Sequence, residues 1–500
     1  MIINRFIKHT IRILICGIIG IHIGLSILLN IPAVQKKLST LISSELSKVL
    51  NTELTVGHVE IGLFNRIHIE DVKLNDQQDE ELLKVNRLSA RFDLRPLLKG
   101  KIFINSVQLI GFNAHLKKET PESTPNFQFV LDAFASKDTL KKNNDLDLRI
   151  NSILINHGNL TYDVLSEPET PERFNLSHIK LKEFSTSISL KALNNDSLNA
   201  MVRRISFEEQ SGFKLKKLGM KILANNERLV IDDFKLNLSN STLRLDSIIV
   251  GFNNLKNLPQ MTEDVHYSGK LSGDLTLNDL APLIPTMNGL DNPISYNLSF
   301  NGQGKNIDIP TISLYSEKQL DINAYASIQD WDKGDDMYLN ARLINLAFTQ
   351  SGITYFMNNL TGKTPPILKR MRFVELGGFA DGYLRELQLN ASLHSGVGWV
   401  NGNLFVHKDE HGKRTYSGRV ASNNMDIGRL LGDNKMGNMD FNIMLEGATY
   451  QNKKPVSNIK GTISSLEYSN YTYENITLNG LYKNGGFNGH LALDDENGVV

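Results

Sequence analysis

The chain has 500 residues, with 54 basic and 54 acidic side chains, a formal net charge of zero, and 41% hydrophobic residues. That balance leaves no basic footprint for nucleic acid and no polybasic patch for anionic lipid, so electrostatic capture of a polyanion is disfavoured. Cys16 is the only cysteine, which excludes an intramolecular disulfide, a CxxC redox pair and a multi-cysteine zinc site.

Residues 13–31, ILICGIIGIHIGLSILLNI, carry no charged side chain. At about 1.5 Å per residue such a helix reaches roughly 28 Å, close to a bilayer core. Arg5, Lys8 and Arg12 precede it, so the positive-inside rule places residues 1–12 in the cytoplasm and exports the rest. The motif IPAV at 31–34 is a poor cleavage site, which favours an uncleaved anchor over a signal peptide. Residues 32–52 predict an amphipathic helix. Pro32 is at its first turn, and Val34, Leu38, Leu41, Ile42, Leu46, Val49 and Leu50 form one face, which either caps the start of a sheet or lies on the outer surface of the membrane, the modest charge favouring the cap.

From residue 53 to 500 the pattern is β. One eight-residue figure, apolar-x-apolar-x-x-apolar-x-apolar, recurs as IHIEDVKL (from Ile67), IFINSVQL (Ile102), LRINSILI (Leu148), FNLSHIKL (Phe174), FKLKKLGM (Phe213), LVIDDFKL (Leu229), LRLDSIIV (Leu243) and YTYENITL (Tyr471). The gap fits neither a plain strand nor a helix. It predicts a β-bulge, one extra residue that restores the inward face and bends the strand, against the alternative of separate short hairpins. Repeated bulges curl a sheet. The expected fold is therefore mostly β: a transmembrane helix and an amphipathic helix, then a long, curved, repetitive β-sheet groove with a few short helices. The inward set is Leu88, Ala90, Phe92, Leu94, Ile102, Ile104, Val107, Leu109, Leu148, Ile150, Ile153, Ile155, Phe213, Leu215, Leu229, Ile231, Phe234, Leu236, Leu243 and Leu245.

Turns are expected at Asn156-His157-Gly158, Asn301-Gly302, Asn401-Gly402 and Asn479-Gly480. Short helical turns are expected at DLRPLL (Asp93), DLAPLI (Asp279) and DIGRLL (Asp426). Helices are expected at 126–134, with Asn126 as cap, and at 353–360. The best candidate domain break is KKETPESTP, 117–125, with KKNNDLD, 141–147, although a continuous repeat is simpler. His407-Lys-Asp-Glu410-His411 fits H-x-x-E-H, but its β-like flanks make it a hairpin tip and not the helix that a zinc peptidase needs. No G-x-S-x-G, P-loop or G-x-G-x-x-G occurs, and neither catalysis nor a cofactor is expected.

The anchor and amphipathic helix, ELTVGHVEIGLFNRIHIEDVKL (Glu53 to Leu74), RLSARFDLRPLLKGKIFINSVQLIGFNAHL (Arg87 to Leu116) and LGDNKMGNMDFNIMLEG (431–447) together resemble AsmA-like envelope proteins, most closely the TamB family of the translocation and assembly module. The resemblance is strongest over residues 1–116 and rests on pattern and order. It implies a single-pass inner-membrane protein with a periplasmic β-groove, running towards the outer membrane, that passes phospholipid between the inner and outer membranes. The alternative it implies is a scaffold for outer-membrane protein or autotransporter assembly with a BamA-like or TamA-like barrel. Because residues 491–500, LALDDENGVV, stop within a β pattern, the groove is expected to continue beyond them.

Overall fold

The computed structural model describes the chain except residues 1, 30, 63–65, 93–101, 135–145, 148–150, 171, 195–196, 255–257, 410, 450–455, 484–485, 497 and 500. It is mostly β with few helices, and it divides into two compact units, Met1–Leu223 with Lys235–Ser239, and Ala224–Phe234 with Asn240–Val500. The expected break at 117–125 lies inside the first unit. Leu94, Leu148, Ile150 and the DLRPLL turn lie outside the described residues, as do the side chains of Ile102 and Ile104.

The first unit opens with α1 (Ile2–Leu29) and α2 (Pro32–Leu50). The expected anchor is met in its helical conformation, but among the described residues no helix is long and apolar enough to cross a membrane. Ile13, Ile18, Ile21 and Ile27 are exposed along α1. Strands β1 (Leu54–Thr55), β2 (Val59–Gly62), β3 (Arg66–Asn75), β4 (Glu81–Phe92) and β5 (Ile102–Lys118) follow, then α3 (Gln128–Phe134), β6 (Leu146–Asp147), β7 (Ser152–Val164), β8 (His178–Asn194) and β9 (Ser197–Glu209). The pairings β3–β4–β5 and β7–β8–β9 are antiparallel, whereas β5 and β7 are parallel. A parallel pair needs a crossover of a dozen or more residues. The polar stretch that resembled a linker is part of that crossover. Phe127, Phe129 and Val130 from it pack on the cluster of Leu50, Leu54, Leu74 and Leu82. Asn126 does not cap α3; its Oδ1 accepts from Lys117 N at 2.9 Å and its Nδ2 donates to Asp76 Oδ2 at 3.2 Å.

Helix α2 closes the edge formed by β1 and β2, as expected, and does so through two side chains that imitate a strand. Gln35 Nε2 donates to Val59 O at 2.6 Å while its Oε1 accepts from Val59 N at 3.0 Å. Ser47 Oγ accepts from Leu54 N at 2.9 Å and donates to Leu54 O at 3.2 Å. Twelve helical residues rise about 18 Å and five strand residues about 17 Å, so the two anchor points match and an otherwise open edge is blocked. The apolar stripe is wider than this contact requires, and Leu41 (57%) and Val49 (61%) remain exposed.

The polar gap is a more varied device than a one-residue bulge. An inserted residue is seen where expected at IFINSVQL, where the register of β5 on β4 slips between Arg91 and Phe92, and at LRLDSIIV, between Leu245 and Ile248. At IHIEDVKL, LVIDDFKL and YTYENITL the gap instead holds a left-handed residue, Asp71 (φ 53°), Asp233 (φ 53°) and Asn475 (φ 55°). FNLSHIKL is a turn entering β8. In the first unit these positions align across neighbouring strands: Asp71, then Asn86, Gly111 (φ 60°) and His157 (φ 53°), with Glu183 (φ 54°) beside it. Every strand therefore changes pleat phase at the same level, and the apolar face stays continuous. Asp and Asn tolerate this conformation better than most residues, which is why the gap is polar. Gly111 is needed twice over, because Asn86 Nδ2 lies 2.5 Å from where its Cβ would stand.

Just beyond this line the Phe112 ring lies over Gly158, where a Cβ would come within 1.8 Å of Phe112 Cε1. Gly158→Ala is expected to lower stability by about 1–3 kcal/mol, measured by urea unfolding; an unchanged midpoint would refute this packing. His178 is buried (3% exposed), with Nδ1 2.9 Å from Asp163 Oδ1 and Nε2 2.9 Å from Glu167 O. The hydrogen bond to Asp163 raises its pKa above the ordinary value, overcoming the opposing effect of burial. The stabilisation is complete below about pH 6.5 and lost as pH rises through the elevated folded value. Unfolding midpoints should therefore fall between pH 6 and 8 in the wild type, and fall less in His178→Gln.

Candidate functional site

The second unit is an antiparallel meander in which every strand pairs with its neighbours in the chain. Strands β10 (Lys214–Asn225) and β11 (Arg228–Asn237) span the division between the units. The meander comprises β12 (Thr242–Gly251), β13 (His266–Leu275), β14 (Ile294–Gln303), β15 (Asn306–Ser316), β16 (Leu320–Gln329), β17 (Tyr338–Phe348), β18 (Val374–Tyr383), β19 (Glu386–Ser395), β20 (Gly398–Lys408), β21 (Arg414–Asp426), β22 (Met436–Thr449), β23 (Val456–Tyr468), β24 (Tyr471–Lys483) and β25 (Gly486–Asp495). Between them lie α4 (Gln350–Thr361), α5 (Pro366–Met371) and α6 (Ile427–Leu431). The helix expected at 353–360 and the turn at DIGRLL are thus present, while the 3₁₀ helix Leu277–Leu280 covers only the first two residues of DLAPLI, whose remainder is a turn.

Following the register from strand to strand gives a row directly across the sheet: Leu245, Leu271, Leu298, Ile312, Ala324, Leu343, Gly378, Ala391, Gly402, Val420, Ile443, Gly461, Leu478 and Leu491. Every member is apolar or glycine. The row crosses 14 strands, roughly 60 Å at about 4.8 Å per strand. A neighbouring row on the same face contains Ile309, Ala326, Ala341, Ala380, Leu389, Leu404, Gly418, Leu445 and Ile459. The opposite face is largely polar, as in Asn301, Asp308, Ser327, Asn340, Asp381 and Gln388, with exposed Tyr325, Phe379, Phe405 and Met444 scattered across it.

The apolar face is incompletely covered. In the long row only Leu245 and Leu478 are buried, Leu491 is exposed (62%), and the others are half-buried. At the hairpin margin Phe252 and Val265 are buried, and the buried clusters lie along the other margin of the sheet. There Leu290, Ile294, Leu320 and Phe356 pack with Leu314, Ile322 and Phe348, and Val397, Met425 and Leu430 pack with Met371, Val400 and Phe441. Between β16 and β20 the face is lined mainly by Ala and Gly, and nothing lies within 4 Å of the position a Cβ would take at Gly402. Around β12 to β14 it is filled differently: the Phe300 ring lies over Gly269, the Tyr296 ring beside Gly273 and the Tyr267 ring over Gly302, each pair directly opposed on neighbouring strands. At the last strands Leu466, Tyr468, Tyr473, Ile476, Leu491, Ala492 and Leu493 line an apolar hollow of about 360 Å³.

In the first unit the register places several of the expected inward residues on shared rows. Ile67, Ala90, Val107, Ile153, Ile188 and Val202 form one row, and Ile69, Leu88, Leu109 and Ile155 form the next, with Phe92 opposite Ile104. Leu215 is buried, and the Phe213 ring packs against those of Phe174 and Phe207. In β11 Leu229, Ile231, Phe234 and Leu236 are half-buried, but burial does not alternate from Leu229 to Asp232, and Val230, missed by the sequence reading, is the buried residue. Leu243 and Leu245 belong to the second unit, Leu243 opposite Gly273 and Leu245 opposite Leu271. No family model matches the chain, and neither a curated protein nor a solved structure matches it. His407 and His411 flank the β20–β21 hairpin, where Asp409 Oδ1 accepts from the backbone of His411 and Lys413 at 2.9 Å each. Among the described residues no cluster of His, Cys, Asp and Glu is arranged to hold a metal ion.

The face also sets the ionisation of its own aromatic residues. Burial, helped by the charge of Asp274, pushes the Tyr296 phenol up to about 12, and its OH donates to Thr242 O at 3.3 Å. Burial likewise raises Tyr267, whose OH donates to Asn306 O at 2.9 Å. Because an unfolded tyrosine ionises near pH 10, the unfolded state gains stability first as pH rises, and folding weakens from about pH 10 to 12. Tyr296→Phe should remove part of that alkaline loss in unfolding titrations and delete the latest-ionising tyrosinate absorbance; an unchanged alkaline profile would refute the desolvation.

Proposed function

We propose that this protein is an inner-membrane-anchored, periplasmic envelope-biogenesis protein of the TamB and AsmA-like type, not an enzyme, whose apolar β-groove carries phospholipid acyl chains between the inner and outer membranes. The observation that carries this reading is the unbroken apolar face from β12 to β25, left half-buried where an ordinary sheet core would be sealed. The anchor and the inner-membrane location rest on the uncharged run at residues 13–31 and the basic residues before it. The mechanism is hydrophobic continuity. Each methylene kept from water is worth about 0.8 kcal/mol, so an acyl chain leaves a bilayer only along a path that stays apolar. In-register rows provide such a path without any individually essential residue.

The alternative, a scaffold that templates client strands for a BamA-like barrel, works through a free sheet edge. At the β1–β2 edge, Gln35 and Ser47 of α2 already hold the backbone of Val59 and Leu54, so strand addition has no access there. That observation counts against strand addition at this edge alone.

Gly402 supplies a selective test, since a side chain there meets no neighbour. Gly402→Asp is expected to fold normally while reducing, several-fold, the phospholipid retained by the full chain after purification, measured by lipid mass spectrometry. Gly402→Ala should retain wild-type amounts. Equal lipid content in wild type and a well-folded Gly402→Asp would remove the acyl-chain reading.

A further inference from the structure

The polar end of a lipid held in this way must rest at a margin of the sheet, and one turn of the helical margin stands out in its charge. Elsewhere on both margins several cations are matched with carboxylates, Lys318 with Glu317 and Arg429 with Asp426 among them. Lys333 lies 3.0 Å from Asp330, Arg385 2.7 Å from Asp336 and Lys408 2.6 Å from Asp335, and Lys305 is bound to Asp332. At the helical margin, residues 363–372, KTPPILKRMR, contain Lys363, Lys369, Arg370 and Arg372 and no acidic residue. Among the described residues none of these four cations makes an ion pair.

The placement of this basic turn matters as much as its charge. Met371 packs on the cluster of Val397, Met425 and Leu430, which also receives Val400 and Phe441 from the apolar face, so Arg370 and Arg372 flank the point where that face ends. Arg370 Nη1 donates to the carbonyls of Leu430 at 3.2 Å and Leu431 at 2.7 Å, which fixes its position without neutralising it. Arg372 adopts φ 63°, a left-handed conformation that costs a non-glycine residue free energy, between α5 and β18. Ile367 and Leu431 are exposed beside these cations. Unpaired cations next to exposed aliphatic side chains and an apolar surface match an amphiphile with an anionic head, and not a nucleic acid or a purely polar anion.

We propose that the turn from Lys363 to Arg372 is a headgroup site, where Lys363, Lys369, Arg370 and Arg372 bind the phosphate of a glycerophospholipid whose acyl chains lie on the apolar face. The proposal rests on the acyl-chain reading above and adds a preference for anionic headgroups along one margin.

The test uses the full chain and a variant carrying Lys363→Gln, Lys369→Gln and Arg372→Gln, with Arg370 retained because it ties α5 to α6. Probes are monomeric dihexanoyl phosphatidylglycerol, the uncharged fluorophore N-phenylnaphthylamine and inorganic phosphate as competitor. Phosphatidylglycerol should bind the wild type about tenfold more tightly than the variant at low salt, with the difference shrinking as salt rises. The uncharged probe should bind both proteins alike. Equal phosphatidylglycerol binding by both proteins would overturn the headgroup site. Displacement by inorganic phosphate at the same concentration as the lipid would reassign it to free phosphate. Binding to phosphatidylglycerol vesicles without binding of the monomer would make it a membrane-surface contact. Failure of the uncharged probe to bind either protein would count against the acyl-chain reading alone.

Discussion

The structure depends on keeping one face of a strand apolar while the backbone changes pleat phase. Strand side chains alternate with period two, so any interruption would send the rest of the strand's apolar residues to the other face. Two devices prevent this. An extra residue, as at Leu245 to Ile248, and a left-handed residue, as at Asp71 or Asn475, each shift the phase so that the next apolar residue returns to the same side. In the first unit the shift is made at one level by successive strands, from Asp71 through Gly111 to His157, and compensated between β7 and β8 by Glu183. A solitary shift would break register with its neighbours; an aligned one leaves the hydrogen-bonded ladder intact.

With the face preserved, side-chain size decides how it is used. The first unit fills its face with Ile, Leu, Val and Phe, and Phe112 closes over Gly158. The second fills β12 to β14 with aromatic rings laid over glycines, then becomes shallow where Ala324, Ala341, Gly378, Ala391 and Gly402 meet. One margin is sealed by α4, α5 and α6, and the other is made of ion-paired hairpins. On the proposed reading, a surface open above its centre and closed along one side suits a long apolar molecule.

Much of this was legible in the sequence, because the apolar-x-apolar-x-x figure records the phase shift directly and the rows built on Leu88, Ala90, Val107 and Leu109 follow from it. What the pattern could not separate was an inserted residue from a left-handed one, since both leave a polar pair in the gap. The Asn-Gly pairs misled for a related reason. Gly158, Gly302, Gly402 and Gly480 lie inside strands, where they serve close approach or open space on the apolar face. Real turns such as Tyr383 to Glu386 contain neither residue. The parallel β5–β7 pair was hidden because a polar crossover and a linker have the same composition. The neutral total charge concealed the basic turn at 363–372, whose four cations make no ion pair among the described residues.

A half-buried apolar face is also a thermodynamic statement. Each unit must be stable with this surface exposed to water, and the in-register strand ladders, the α2 edge cap and the margin clusters around Phe356 and Met425 provide that stability. Any occupant that covers the face binds the folded state and not the unfolded chain, so occupancy and folding stability rise together. Small residues at the centre keep that coupling modest, because Ala and Gly rows lose little by being wet and give an acyl chain few deep contacts. A conduit needs such an exchange: contacts apolar enough to keep a chain from water, and shallow enough that no position along β12 to β25 becomes a trap.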